Sequence, residues 1–189
     1  MGIRIITIIG LILFISPIHS QRLLGDEIAI QISSAIPTNA TDAISENFSF
    51  QLAVTANTIK GNYWKFGTAY QRKTFDYKNQ ELPYDFYNGD IGYFLQAFSN
   101  YQKSLLVYIG VSGIAGYEVF NKDQSLLQDG ATLKNTSGFV YGGKATLSLE
   151  TYVSNRWVLF AFSEVSYLPK GGLAEWQSQF GIGTRIFIN

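Results

Sequence analysis

From Ile28 onward, apolar and polar residues alternate one for one in stretch after stretch. Successive side chains of an extended strand point to opposite faces, so each stretch predicts a strand with one apolar and one polar face. In the first, Ile28, Ile30 and Ile32 oppose Glu27, Ala29, Gln31 and Ser33. The second sets Phe48, Phe50, Leu52, Val54 and Ala56 against Ser49, Gln51, Ala53, Thr55 and Asn57. The third sets Trp64, Phe66, Thr68 and Tyr70 against Lys65, Gly67, Ala69 and Gln71. The fourth sets Tyr87, Ile91, Tyr93, Leu95 and Ala97 against Asn88, Asp90, Gly92, Phe94 and Gln96. A fifth runs from Leu105 to Val119. The sixth carries Phe139, Tyr141, Ala145, Leu147 and Leu149 opposite Gly142, Lys144, Thr146, Ser148 and Glu150. The seventh, Arg156 to Leu168, is the least regular, because Val158, Phe160 and Phe162 share a face with Arg156 and Glu164. In the last, Trp176, Phe180, Ile182, Ile186 and Ile188 alternate with Gln177, Gln179, Gly181, Gly183 and Arg185, and Phe187 falls on the polar side.

The connections sort into two lengths. Polar loops follow the odd strands: Pro37 to Glu46, Arg72 to Tyr84 with Pro83 inside it, Asn121 to Asn135, and Pro169 to Gly172. Tight turns follow the even ones, at Lys60-Gly61-Asn62, Ser99 to Gln102, and Ser154-Asn155. One two-faced hairpin suits a soluble sandwich as well as a membrane barrel. Eight such strands joined alternately by long loops and short turns match a barrel with long outer loops and short periplasmic turns. The expected fold is therefore all-β: an eight-stranded antiparallel up-and-down β-barrel of outer-membrane type over residues 21–189, following a signal peptide over residues 1–20. A closed barrel of this size is filled by its own side chains.

Composition narrows the reading. Charged residues make up 15 % of the chain, against about 25 % in an average soluble domain, and aromatics another 15 %. Fourteen basic residues balance 14 acidic ones, which leaves no net charge to recruit nucleic acid. Cysteine is absent, which excludes disulfides, thiol catalysis and cysteine metal sites. The leading segment has Arg4, an apolar run from Ile5 to Ile15 too short to span a bilayer, Pro17, and Ser20 before Gln21, the pattern of a cleaved secretory signal. Cleavage there removes His19, the only histidine.

The polar faces collect charges of both signs: Glu27, Lys65, Asp90, Glu118, Lys144, Glu150, Arg156, Glu164 and Arg185. Inside a narrow barrel these require partners or water, since a lone buried charge is costly. Trp64, Tyr87, Tyr117, Trp157, Tyr167 and Trp176 stand near strand ends, where interfacial aromatic girdles form.

Candidate chemistry is sparse. Without histidine, triad catalysis is unavailable. Asp90, Glu118, Glu150 and Glu164 are the carboxylates open to acid–base work, and pairing with lumen Lys and Arg is the simpler use for them. Asp123 and Asp129 lack the regular spacing of a calcium loop. Lys170-Gly171-Gly172 is a turn outside any phosphate-loop pattern. Asn39-Ala40-Thr41, Asn47-Phe48-Ser49 and Asn135-Thr136-Ser137 match the glycosylation triplet, which arises often by chance.

The fifth and sixth strands carry a resemblance. Gly116-Tyr117-Glu118-Val119-Phe120-Asn121, Leu126-Leu127, Asp129-Gly130-Ala131-Thr132-Leu133-Lys134-Asn135 and Phe139-Val140-Tyr141-Gly142-Gly143 resemble the TraO family of Bacteroidetes conjugative transposons. Gly61-Asn62-Tyr63-Trp64, Leu147 to Tyr152 and Gln179-Phe180-Gly181-Ile182-Gly183 are similar to that family too. The resemblance implies a component of a conjugative DNA-transfer apparatus encoded on a mobile element, with no catalytic, cofactor or metal residues to carry over. Together with the strand pattern it implies a non-enzymatic protein of the bacterial outer membrane, exported through its signal peptide. Its expected partners are other conjugation proteins and membrane lipid, with no direct nucleic-acid contact and no small-molecule substrate. The alternative is a general small barrel resembling the OmpA- or OmpW-like proteins, with a binding or adhesion role.

Overall fold

A computed structural model describes residues 27–38, 47–58, 60–77, 80–101, 104–123, 137–169 and 171–188. The expected signal peptide over residues 1–20, Asn39, Asp129, Asn135, Lys170 and most of the longest loop lie outside the described residues. Eight strands form: β1 (Ile28–Pro37), β2 (Phe48–Asn57), β3 (Tyr63–Tyr77), β4 (Gln80–Ser99), β5 (Leu105–Phe120), β6 (Gly138–Tyr152), β7 (Trp157–Tyr167) and β8 (Trp176–Phe187). Each pairs antiparallel with its chain neighbour, and β1 pairs with β8 from Ala29↔Phe187 to Pro37↔Gln179, closing the barrel in up-and-down order.

The one-for-one sequence pattern becomes a one-for-one burial pattern. β1 and β2 alternate exposed and buried along almost their whole length, with the isoleucines, Phe50, Leu52 and Val54 outward and Gln31, Ser33, Gln51 and Thr55 inward. This inverts the arrangement of a soluble protein, where the apolar face is the buried one. The shortest strands have 10 residues. At about 3.3 Å per residue and a tilt of about 40°, such a strand spans about 25 Å, the height of an outer-membrane apolar band.

The three short turns lie at one end. Thr58 N–H and Oγ1 both donate to Asn62 O, at 2.7 and 3.0 Å, and Gly61 takes the positive φ of 80° that this reversal needs. Asn100 Oδ1 accepts from the N–H groups of Ser104 and Leu105. Ser154 and Trp157 exchange backbone bonds at 3.3 Å.

At the other end the structure corrects the reading of Arg72 to Tyr84 as a loop. The hairpin register of β3 and β4 continues from Arg72↔Asp85 through Thr74↔Pro83 to Tyr77↔Gln80, so the strands run beyond the barrel wall. Pro83 misled because proline breaks a central strand. Here β5 ends at Phe120 opposite Tyr84, and no described strand lies beside Pro83 on that side, where its missing N–H costs no ladder bond.

Three further differences concern facing. Arg156, expected on the polar face of the seventh strand, lies exposed in the turn before β7, and Glu27 sits half-buried at the rim before β1. Burial there pushes the Glu27 carboxyl above its ordinary range. A bulge between Gln96 and Phe98 turns both Ala97 and Phe98 outward, which ends the simple alternation of β4.

Val158, Phe160 and Phe162, which blurred the seventh strand, do face inward. The register shows why they fit. Phe160 lies opposite Gly183 and Phe162 opposite Gly181, and a Cβ added to either glycine would come within 2.4 Å of the facing ring. The glycines of β8 supply the volume that the rings of β7 fill.

Candidate functional site

Among the described residues, the lumen is where the fold concentrates chemical groups. Strand parity sends Lys65 and Lys73 of β3, Asp90 of β4, Glu118 of β5, Lys144 and Glu150 of β6, Glu164 of β7 and Arg185 of β8 inward, and all are buried. Among the described residues these are four cations and four anions, so their charges balance. They fall into three tiers along the barrel axis.

Near the short turns, Arg185 donates from Nη1 to Glu150 Oε2 at 2.8 Å and from Nη2 to Glu150 Oε1 at 3.0 Å. Its Nε and Nη2 also donate to Gln31 Oε1 at 3.2 and 2.9 Å. Tyr63 hydroxyl donates to Glu150 at 2.9 Å, and the guanidinium lies 4.2 Å from the centre of the Tyr63 ring. Every strong group has a partner of matching geometry, which offsets the cost of removing the ions from water. Tyr63, Phe94, Leu106, Tyr108, Tyr152, Val158 and Phe187 pack around this tier and close that mouth. Tyr108 hydroxyl ties the cluster to the first turn through Gly61 O at 3.0 Å.

In the middle tier two lysines sit between two carboxylates. Lys65 Nζ lies 3.3 Å from Asp90 and 3.9 Å from Glu164, while Lys144 Nζ lies 3.4 and 3.6 Å from the same two. Glu164 also accepts from Gln51 Nε2 at 3.1 Å and Gln179 Nε2 at 2.6 Å. Gly67 permits the arrangement, since a Cβ there would lie 2.8 Å from the Asp90 carboxylate. In the outer tier, Tyr84 hydroxyl donates to Glu118 at 2.6 Å, Gly172 N–H donates to Glu118 at 2.8 Å, and Lys73 Nζ donates to Gln177 at 3.0 Å. Tyr84, Phe86, Ile114, Val140 and Leu168 surround this tier, with Phe75, Phe120 and Leu173 against them.

Between the tiers the lumen holds a cavity of about 20 Å³, lined by residues including Lys144, Asn88 and Gln179, and one of about 10 Å³ beside Arg185 and Lys65. Each has room for about one water molecule. The described lumen contains no path for a nucleic-acid strand.

The structure brings together most of the charges read on the polar faces, as ion pairs. It does not bring Glu118 and Glu150 together, since they belong to tiers at opposite mouths with separate partners. Asp123 is exposed on the short turn Asn121–Asp123, away from the lumen carboxylates. Lys73 was missed, although it continues the inward parity of Lys65, Gly67, Ala69 and Gln71.

The outer face is the complement of the lumen. Trp64 and Trp157 stand outward toward the short turns, and Tyr87, Tyr117, Tyr167 and Trp176 toward the long connections. The register aligns Tyr70, Tyr87 and Tyr117 in one row, and Tyr167 and Trp176 pair with ring centroids 4.7 Å apart. Two aromatic bands therefore flank a band of aliphatic and small residues, the surface of a barrel that meets lipid.

Comparison with known proteins agrees with this architecture. The family model described as "Conjugative transposon protein TraO" matches residues 25–188. No curated protein sequence matches the chain. Among solved structures, Neisserial surface protein A (NspA) is similar with a TM-score of 0.58 and 16 % identity, over 84 % of this chain and 96 % of that one. Ail, the attachment invasion locus protein of Yersinia pestis, is similar with a TM-score of 0.55 and 13 % identity, over 87 % and 99 %. At such identities the likeness is one of fold: an eight-stranded barrel of outer-membrane type.

Proposed function

Because the chain belongs to the conjugative transposon protein TraO family, we propose that it is a non-enzymatic structural component of the conjugative DNA-transfer apparatus, seated in the bacterial outer membrane. The family match over residues 25–188 carries this reading. The outward apolar band between two aromatic girdles supports the membrane location, and the leading apolar segment supports export through a cleaved signal peptide. The partners are other proteins of the transfer machinery and the surrounding lipid. A lumen packed with paired charges argues for a scaffold or docking role beside the conduit, with DNA passing elsewhere.

Deleting the gene from a donor strain and measuring transfer frequency tests the proposal. A loss of transfer restored by the full-length gene is expected, and undiminished transfer would overturn it. The alternative, a general small barrel with a binding or adhesion role, shares the fold with NspA and Ail but does not account for the family match.

A further inference from the structure

The outward wall of β3 to β6 has a depression that the barrel itself does not require. Register places Thr68 opposite Gly89 and Gly89 opposite Ala115, with Gly113 opposite Gly143 beside them. These short side chains leave two adjoining shallow depressions, open to the outside, of about 530 and 860 Å³, both bordered by Leu52, Thr68 and Gly89, with Phe66 and Ile91 on the rim of the larger. The lumen glycines Gly181 and Gly183 are small because rings occupy their space. A Cβ on Gly113 would meet nothing within 4 Å, and one on Gly89 would meet only the Gly67 carbonyl oxygen at 3.7 Å.

Above the hollow, toward the long loops, runs the row Tyr70, Tyr87 and Tyr117, and two register positions further, on the same face, Arg72 stands opposite Asp85. Arg72 is a partly exposed cation at the level where an apolar band gives way to headgroups. Its Nε and Nη2 donate to Asp85 at 2.8 and 3.1 Å, its guanidinium stacks 5.9 Å from the Tyr70 ring centre, and Tyr70 hydroxyl donates to the same carboxylate at 2.6 Å. This clamp orients the guanidinium and leaves Nη1 for a further acceptor. Lys122, exposed beside Asp123 on the turn Asn121–Asp123 that packs against β4, is a second cation on this side of the barrel.

We infer that this face binds one phosphate-bearing lipid of the outer leaflet, its phosphate on Arg72 and Lys122 and an acyl chain in the hollow below the tyrosine row. The inference rests on the membrane location proposed above. A phosphate oxygen supplies the acceptor that the oriented guanidinium lacks. Methylene groups restore the dispersion contacts that an unfilled hollow forfeits, and its small residues let the chain approach the backbone closely. A second copy fits less well, because a two-fold axis along the membrane normal would set Arg72 and Lys122 at the level of their own mates.

The test is native mass spectrometry on the full-length protein released in mild detergent. It is titrated with a bis-phosphorylated acylated glucosamine disaccharide and, separately, with the same lipid stripped of phosphate. The wild-type protein is expected to hold one phosphorylated lipid about tenfold more tightly than the stripped one. The double substitution Arg72→Gln/Lys122→Gln should erase that preference. Gly89→Leu/Gly113→Leu, whose added Cβ atoms approach nothing closer than 3.7 Å and whose side chains occupy the hollow, should weaken both lipids by a similar factor. Equal binding of the two lipids by the wild type, or unchanged binding by the filled variant, overturns the inference. Heat-dependent gel mobility of the same samples separates the causes. Folded samples that shift without the lipid effects sink the lipid site alone, whereas a wild-type protein that never shifts sinks the membrane location and the site with it.

Discussion

The two faces of this barrel wall are made from the same strands and follow opposite rules. Inward, Lys65, Lys144, Asp90, Glu164, Arg185 and Glu150 lie within 4 Å of oppositely charged partners. Outward, the strands present isoleucine, leucine, valine and aromatic rings, and the charges Arg72 and Asp85 enter only beyond the tyrosine row. A soluble protein can leave an exposed polar group to water. A lipid-facing wall cannot, so every charge in the spanning part is sent inward, where it must be paired. The lumen is therefore held by specific geometry, and the outer face by the general match between apolar surface and apolar solvent.

The largest expected effect breaks the lumen side. Arg185→Leu strands the Glu150 carboxylate in a sealed interior and should destabilise the barrel by about 3–5 kcal/mol. Arg185→Leu/Glu150→Leu should recover most of that loss, since removing both charges avoids the orphan. Urea titration of the refolded protein, followed by the heat-modifiable folded band, measures both. A single variant as stable as the wild type would show that the pair is dispensable or that water reaches it.

Ile32→Arg breaks the outward side. Ile32 lies midway along β1, facing out between Leu52 and Thr184. In a bilayer this change should cost about 2–4 kcal/mol, measured by the same titration in lipid vesicles. A neutral result would mean that this face meets water.

The smallest effect sharpens the contrast. Gly181→Val drives a Cβ to 2.4 Å from the Phe162 ring and the Ser34 carbonyl oxygen, an overpacking worth about 1–3 kcal/mol. Gly113→Val, with nothing within 4 Å, should change stability by less than about 0.5 kcal/mol. Equal effects would show that backbone entropy, and not facing, governs these glycines.

Much of this was legible in the residues themselves. Alternation identified the strands and assigned Lys65, Asp90, Glu118, Lys144, Glu150, Glu164 and Arg185 to the inward face. It failed where a local signal was ambiguous. The polar run around Pro83 reads as a loop because nothing in the chain says that β5 stops at Phe120 and leaves β4 an open edge there. Arg156 shares the parity of the inward residues, yet the turn before Trp157 holds it outside the strand. Phe160 and Phe162 look misplaced until β8 brings Gly183 and Gly181 opposite them.

The sequence by itself determined the period of two, hence which side chains lie inside, how many strands cross, and which connections share an end. That much follows from the pleat of a strand, a property of neighbouring residues. Only the closed structure decided which inward groups meet. Gln31 and Arg185, 154 residues apart, touch because β1 and β8 join at a seam, and Lys65 reaches both Asp90 and Glu164 across a lumen narrow enough for side chains to meet. Ring closure sets those distances, and no local pattern encodes it.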